Sequence, residues 1–168
     1  MQQAEQSNSR AAKQRIDDAG RHFARGEFEE AQAIYNELLT QQHTETPNLY
    51  SMAQLATDLG DSAAAASYFR ALTELHPDNS SYVAAMGQAL LHVGSFDEGE
   101  EALRKAMAMK PDAHEPYGIL GKFMFNSGDM EKAVELLGKA VELKPRDTGN
   151  YIQLAGALSV TDRHDEAL

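Results

Sequence analysis

The chain has 168 residues, of which 42% are hydrophobic and 24% are charged. This composition is typical of a folded globular protein and excludes a disordered or collagen-like chain. The formal net charge of -11 disfavours binding to nucleic acid, and the absence of cysteine excludes disulfide bonds, thiolate metal sites and a cysteine nucleophile.

A polar segment opens the chain, and glycines recur after it at a fixed interval. Residues 1–11 are predicted to form a disordered polar leader. Four glycines then stand at equal spacing, at Gly26, Gly60, Gly94 and Gly128. Because a period of this length indicates stacked supersecondary units, residues 12–168 are predicted to form one array. Its repeats are expected at about 12–45, 46–79, 80–113 and 114–147, with a truncated fifth repeat at 148–168.

Each unit is predicted to contain two helices that meet at the glycine. In the third unit, apolar residues recur at helical spacing both before Gly94 and after it. Glycine can adopt the left-handed backbone that ends many helices. Ser95 and Glu98 fit a capping box at the start of the second helix. Prolines that follow the later glycines at a constant distance, at Pro77, Pro111 and Pro145, are expected to end the second helices.

These positions together resemble the tetratricopeptide repeat, a helix–turn–helix unit of about 34 residues. The fourth unit matches its pattern at Tyr117, Leu120, Gly121, Gly128, Ala133, Leu137, Ala140 and Pro145. The first unit matches least, because Arg15, Asp18 and His22 occupy positions that are usually apolar. The resemblance implies an all-α fold, a right-handed superhelical solenoid of helix pairs.

The resemblance also implies a partner-binding surface, because the first helix of each tetratricopeptide unit lines the concave groove. Carried onto this sequence, the groove positions are Tyr50, Gln54, Thr57, Asp58, Gln88, Leu91, His92, Lys122, Phe125 and Asn126. Their mixture of aromatic, amide and apolar groups suits an extended peptide or a helix. Leu91 and Phe125 could instead pack beneath neighbouring helices, so both interpretations stay open for them.

One subclass of the family can be tested from the sequence. Some tetratricopeptide co-chaperones hold the C-terminal carboxylates of heat-shock chaperones with lysine, asparagine and arginine side chains. The matching positions here are Ile16, Gly20, Gln54, Ser81 and Ala85, none of which is cationic. A carboxylate would lack charge-assisted donors, so we expect a neutral or basic protein or peptide partner instead.

No catalytic, cofactor or metal site is predicted. The histidines show neither the HExxH motif nor a pair four residues apart, and the glycines form no phosphate-binding loop. The favoured function is therefore a non-enzymatic scaffold or adaptor for protein–protein interaction. Two alternatives stay open: a docking or regulatory segment that precedes an enzyme such as a sulfotransferase or glycosyltransferase, and a module that self-assembles, for example into a homodimer, through its open C-terminal repeat.

The two ends of the chain support two further expectations. The fifth unit stops at Leu168, within its second helix, so we expect this sequence to be part of a longer protein. The sequence contains neither a membrane-spanning run nor a signal peptide. It therefore predicts a cytoplasmic protein without membrane partners, or a periplasmic protein if a leader has been removed.

Overall fold

The computed structural model describes residues 2–39 and 46–161, with side chains from residue 10 onward. Within these ranges the chain forms nine α-helices and no strand, which confirms the all-α repeat solenoid. The helices are α1 Gln2–Ala24, α2 Phe28–Leu39, α3 Thr46–Asp58, α4 Ser62–Leu75, α5 Ser80–His92, α6 Phe96–Met109, α7 His114–Ser127, α8 Met130–Leu143 and α9 Thr148–Val160. The expected second helix of the fifth unit, at 162–168, lies outside the described residues. None of the described helices has the length and hydropathy needed to cross a membrane.

The first helix is longer than the repeat pattern implies. It begins at Gln2, so residues 2–11, which the sequence predicts to be a disordered leader, are described as helical. Ile16 and Ala19 are buried in the core and anchor this helix. Once a helix is anchored in this way, extending it costs little, and the alanine, glutamine and arginine of the leader are good helix formers.

The turn between the two helices of a unit depends on glycine. Gly128 ends α7 with φ 86°, and its N–H donates to the carbonyl of Phe125 at 3.1 Å. A residue with a Cβ is strained at such a φ, whereas glycine is not. Asp129 then begins α8, where its Oδ1 accepts the N–H of Lys132 at 3.3 Å. This turn is the one that the sequence predicts.

The corresponding turn of the third unit differs from the prediction. Ser95 occupies the N-cap position of α6, but its side chain makes no capping hydrogen bond. Glu98, which was expected to complete the capping box, instead accepts a hydrogen bond from Arg70 of α4 at 3.1 Å. The predicted capping box is therefore wrong, because an ion pair between units engages the carboxylate.

Close helix packing within a unit depends on small residues. A Cβ added at Gly87 in α5 would lie 3.0 Å from the carbonyl oxygen of Gly99 in α6. A Cβ added at Gly99 would lie 2.8 Å from Cδ2 of Leu91. Only glycine at both positions lets the two helices approach this closely.

A hydrogen bond links the first two units. The buried hydroxyl group of Tyr35 donates to Oδ2 of Asp61 at 3.0 Å. The other oxygen of Asp61 caps α4 by accepting the N–H of Ala64 at 3.0 Å. Burial and the nearby carboxylate of Asp61 raise the pKa of both Tyr35 and Tyr68 above the usual range for tyrosine. The two hydroxyl groups therefore stay protonated in the folded protein.

The buried apolar residues form two clusters that meet at α5. The N-terminal cluster draws on α1 to α4 and includes Tyr35 and Met52, whereas the C-terminal cluster draws on α6 to α9 and includes Leu137. Among the described helices, α5 alone contributes to both, with Leu90 in the first cluster and Val83 in the second. The first helices also pack unevenly: the backbones of α1 and α3 and those of α5 and α7 come close, whereas α3 and α5 approach each other less closely.

Candidate functional site

The space between α3 and α5 is a cavity of about 550 Å³. Six of the predicted groove residues line it: Tyr50, Gln54, Thr57, Asp58, Gln88 and His92. The first helices therefore do supply the wall of a groove, and the positions predicted from the second and third units are largely brought together there.

One end of the cavity is aromatic. The ring centroids of Tyr50 and Tyr82 are 5.7 Å apart, and the ring of His76 lies 6.0 Å from that of Tyr82. The Tyr50 hydroxyl oxygen accepts a hydrogen bond from the Gln54 amide at 3.0 Å. These contacts fix the orientation of the rings and leave their free faces available for contact.

The other end of the cavity is polar and lies at the C-termini of α3 and α5. Asp58 is the last residue of α3 and His92 is the last residue of α5, and both side chains are exposed. The Asp58 carboxylate and the Gln88 amide have no hydrogen-bond or ion-pair partner among the described residues. The Thr57 hydroxyl is already engaged, because it donates to the carbonyl of Ala53 at 2.8 Å. Asp58 and Gln88 are therefore among the groups of this cavity that are free to bind a ligand.

A second cavity of about 240 Å³ lies between α5 and α7. It shares Ser81, Ala85 and Gln88 with the first cavity, so the two adjoin at α5. Its wall is mostly apolar and consists of Ala84, Ala106, Ala113, Pro116 and Ile119, with Ser80 and Glu115 also lining it. We call the two adjoining cavities the groove.

The predicted site residues outside the groove fall into two groups. Leu91 is only 7% exposed and belongs to the C-terminal cluster, as in the second of the two interpretations left open for it. The reason is the close approach of α6, since Leu91 fills the space over Gly99. Phe125 is half-buried and packs towards α9, while Lys122 and Asn126 are exposed on α7 without lining either cavity.

The sequence prediction also missed residues that line the groove. Tyr82 and Ala85 of α5 and Phe69 of α4 were not assigned to the partner-binding set, yet all three line the larger cavity. For Tyr82 the sequence did carry a signal. In the second, fourth and fifth units its repeat position holds smaller residues that are buried, namely Asn48, Pro116 and Asn150, so an aromatic side chain there is unusual.

The charges of the groove are acidic. Among the residues that line the two cavities, Asp58 and Glu115 carry formal negative charge, and none is lysine or arginine. Across the part of the chain that the structure describes, no three histidine, aspartate or glutamate side chains are grouped so as to hold a metal ion. The chemistry available in the groove is hydrogen bonding, charge attraction and apolar contact.

Family comparison identifies this architecture. A tetratricopeptide repeat family model matches residues 16–80 and again residues 50–114, and a second model with the same description matches residues 90–158. The chain therefore belongs to the tetratricopeptide repeat family. This fold is typically non-catalytic and defines a class of scaffolds for protein–protein interaction.

Solved structures with the same fold extend over nearly the whole chain. MamA from Desulfovibrio magneticus RS-1 is 26% identical, with a TM-score of 0.68, over 93% of this chain and 88% of that one. The Thermus thermophilus protein TTC0263 is 18% identical over 93% and 86% of the two chains, with a TM-score of 0.69, which shows likeness of fold alone. An O-GlcNAc transferase from Thermobaculum terrenum is 28% identical, with a TM-score of 0.61, over 66% of this chain and 21% of that one. No curated protein sequence matches the chain.

Proposed function

We propose that the chain binds a segment of a partner protein, an extended peptide or a helix, in the groove formed by α3, α5 and α7. The observation that carries this proposal is that the two cavities adjoin at α5, where both are lined by Ser81, Ala85 and Gln88. An open cleft that crosses several helices suits a linear segment better than a compact small molecule, which usually occupies a more enclosed pocket.

The chemistry of the groove supports a neutral or basic partner. The free carboxylate of Asp58 attracts cationic groups, and no lysine or arginine among the lining residues is available to hold an acidic group. For this reason the proposal does not extend to the carboxylate terminus of a heat-shock chaperone. A cytoplasmic location, without nucleic acid or membrane partners, is part of the same proposal.

Peptide selection on the purified chain tests the proposal. A phage-displayed library of random peptides would be panned on the chain, and selected peptides would be assayed against the variants Ala85→Phe and Ala33→Phe. Ala85 lies where the two cavities adjoin, whereas Ala33 is exposed on α2, away from both. We expect the selected peptides to bind the wild type and the Ala33 variant but not the Ala85 variant.

The opposite results would refute the proposal. If no peptide were selected, or if the selected peptides bound the Ala85 variant as well as the wild type, the groove would not be the binding site. Thermal unfolding of both variants, followed by circular dichroism, shows whether Ala85→Phe still folds. If the Ala85→Phe variant does not fold, the same assay is done with Gln88→Ala, because that substitution enlarges the groove without adding bulk.

A second candidate is a docking segment that belongs to a larger enzyme. It is favoured by the likeness to the O-GlcNAc transferase, of which the aligned part is only 21%. The endogenous protein, detected with an antibody against this chain, would then have a clearly larger mass than the 168-residue chain itself. An endogenous protein with the same mass as this chain would contradict this candidate.

A third candidate is self-assembly through the last described helix. Ile152 and Val160 of α9 are 69% and 63% exposed, which is unusual for large apolar side chains. If α9 joins two copies, light scattering should show a mass that rises with concentration, and Ile152→Asp should abolish that rise. A constant monomer mass would contradict self-assembly.

A further inference from the structure

We propose that the groove selects a partner segment that carries a basic side chain and, about four or five residues away, a large apolar side chain. This inference rests on the proposed function and specifies its ligand. It follows from the different chemistry of the two adjoining cavities and from the distance between their ends.

The polar end of the larger cavity is suited to a cation. The carboxylate of Asp58 is exposed and has no partner among the described residues, so it keeps its full capacity to accept hydrogen bonds from arginine or lysine. This end also lies at the C-termini of α3 and α5, where the helix dipoles place partial negative charge. The other groups that face it, Thr57, Ser62 and Gln88, are neutral, and His92 completes the rim.

The middle of the groove is suited to the peptide backbone. The half-buried amide of Gln88 lines both cavities and has no partner among the described residues, so it can both donate to and accept from a peptide group. The rings of Tyr50 and Tyr82, which are tilted by 43° to each other, add apolar contact area in the same cavity. Neither feature distinguishes one sequence from another, so specificity must come from the two ends.

The smaller cavity is suited to an apolar side chain. Its volume of about 240 Å³ accommodates one large side chain, and its wall is built mainly from alanine, proline and isoleucine. Pro116 and Ile119 of α7 form one side, and Ala84 of α5 forms the other. Glu115 lines the same cavity but is already close to the His114 ring, with 3.2 Å between Oε2 and Nδ1. Burial of an apolar group is therefore the main interaction that this cavity offers.

The positions of the two ends set the spacing. Ile119 on α7 occupies the same repeat position as Ser51 on α3. Asp58 lies seven residues after Ser51, so along the helix direction Asp58 and Ile119 are separated by about 10 Å. The two cavities are displaced sideways by about one helix-to-helix distance, also about 10 Å. The direct separation is therefore about 15 Å, which an extended chain covers in four or five residues at about 3.3 Å each.

A designed peptide series tests this inference directly. The probes are fluorescein-labelled glycine–serine peptides that contain one arginine and one leucine at every separation up to eight residues, in both orders. Binding to the 168-residue chain would be measured by fluorescence anisotropy. We expect the tightest binding at a separation of four or five, and about tenfold weaker binding when citrulline or glutamate replaces the arginine.

A double-mutant cycle assigns the cation to Asp58. Asp58→Asn should weaken binding of the arginine peptide by about five- to tenfold and leave the citrulline peptide unchanged. Asp112→Asn is the matched control, because Asp112 is an exposed carboxylate outside both cavities. We expect this variant to bind all the peptides as the wild type does.

The contrary outcomes separate this inference from the proposed function. Binding that is independent of the separation, or equal binding of glutamate and arginine peptides, would overturn the inference. An equal loss for arginine and citrulline peptides in Asp58→Asn would overturn it too, since the carboxylate would then have only a structural role. If no peptide of the series binds, the inference is wrong, while the phage selection with Ala85→Phe decides the proposed function independently.

Discussion

Replacing Gly121 by alanine is expected to destabilise the protein, because the added methyl group has no room. The Cβ would lie 2.8 Å from Cγ of Leu137 and 3.1 Å from its backbone nitrogen. Leu137 is completely buried, so its side chain cannot swing aside, and the backbone of α8 is held by its own hydrogen bonds. The two helices of the fourth unit would have to move apart.

The size of the effect can be estimated from two opposing contributions. Overpacking of a well-packed core typically costs about 1–3 kcal/mol. Alanine also stabilises a helix relative to glycine by about 1 kcal/mol. Because the added Cβ meets both a buried side chain and the backbone, the overpacking should exceed the gain in helix propensity, and Gly121→Ala should lower the free energy of unfolding by up to about 2 kcal/mol. Gly138→Ala is the matched control, because no atom lies within 4 Å of its added Cβ, and there the helix propensity should raise the free energy of unfolding.

Urea unfolding followed by far-ultraviolet circular dichroism measures both changes. The midpoint should fall for Gly121→Ala and rise for Gly138→Ala. A Gly121 variant as stable as the wild type, or more stable, would refute the reasoning, since α7 and α8 would then not be as close as the structure places them.

Three further predictions concern stability. The unfolded chain releases tyrosine protons above a pH of about 10, whereas the raised pKa values of Tyr35 and Tyr68 keep these protons bound in the folded chain. The urea midpoint should therefore fall as the pH rises above about 10, and it should fall less in Tyr35→Phe than in the wild type. An equal fall in the variant and the wild type would contradict this prediction. Leu103→Ala empties a fully buried position and should lower the free energy of unfolding by about 2–5 kcal/mol, with a matching fall in the melting temperature. Leu75→Ala, at a side chain that is 51% exposed, should lower the melting temperature far less. Equal falls in melting temperature for the two variants would contradict this prediction. Asp147→Ala removes the acceptor that caps α9 and should lower the free energy of unfolding by about 1 kcal/mol. Amide hydrogen exchange should become faster in α9 alone. An unchanged exchange rate in α9 would contradict the role of the cap.

The helix pairs were predictable from the sequence because their limits depend on local backbone chemistry. The glycine that follows the first helix in each of the first four units takes a positive φ, as at Gly128, and that requirement is visible in the sequence alone. Capping was less predictable, since Ser95 and Glu98 have the right residue types but Arg70 of another unit engages the carboxylate. A local pattern does not show a competing partner that is distant in the chain.

The groove was predictable only where it depends on one helix at a time. Tyr50, Gln54 and Asp58 follow each other at intervals of four, so they share one face of α3 and line the same cavity. The sequence leaves two interpretations open for Leu91 because its burial depends on how closely α6 approaches α5. Tyr82 was missed because the gap between α3 and α5 is a property of the packing of whole units. The repeat spacing therefore indicates which residues of each first helix face the groove, but it does not indicate how far apart α3 and α5 lie.

The divided core has a consequence for how the molecule unfolds. Because α5 alone joins the two clusters among the described helices, α1 to α4 and α6 to α9 can lose their structure in separate steps. A partner in the larger cavity would contact α3, which belongs to one half, and α5, which connects to the other. Binding would therefore couple the unfolding of the two halves. In a urea titration, the bound protein should show a sharper unfolding transition and a higher midpoint than the free protein.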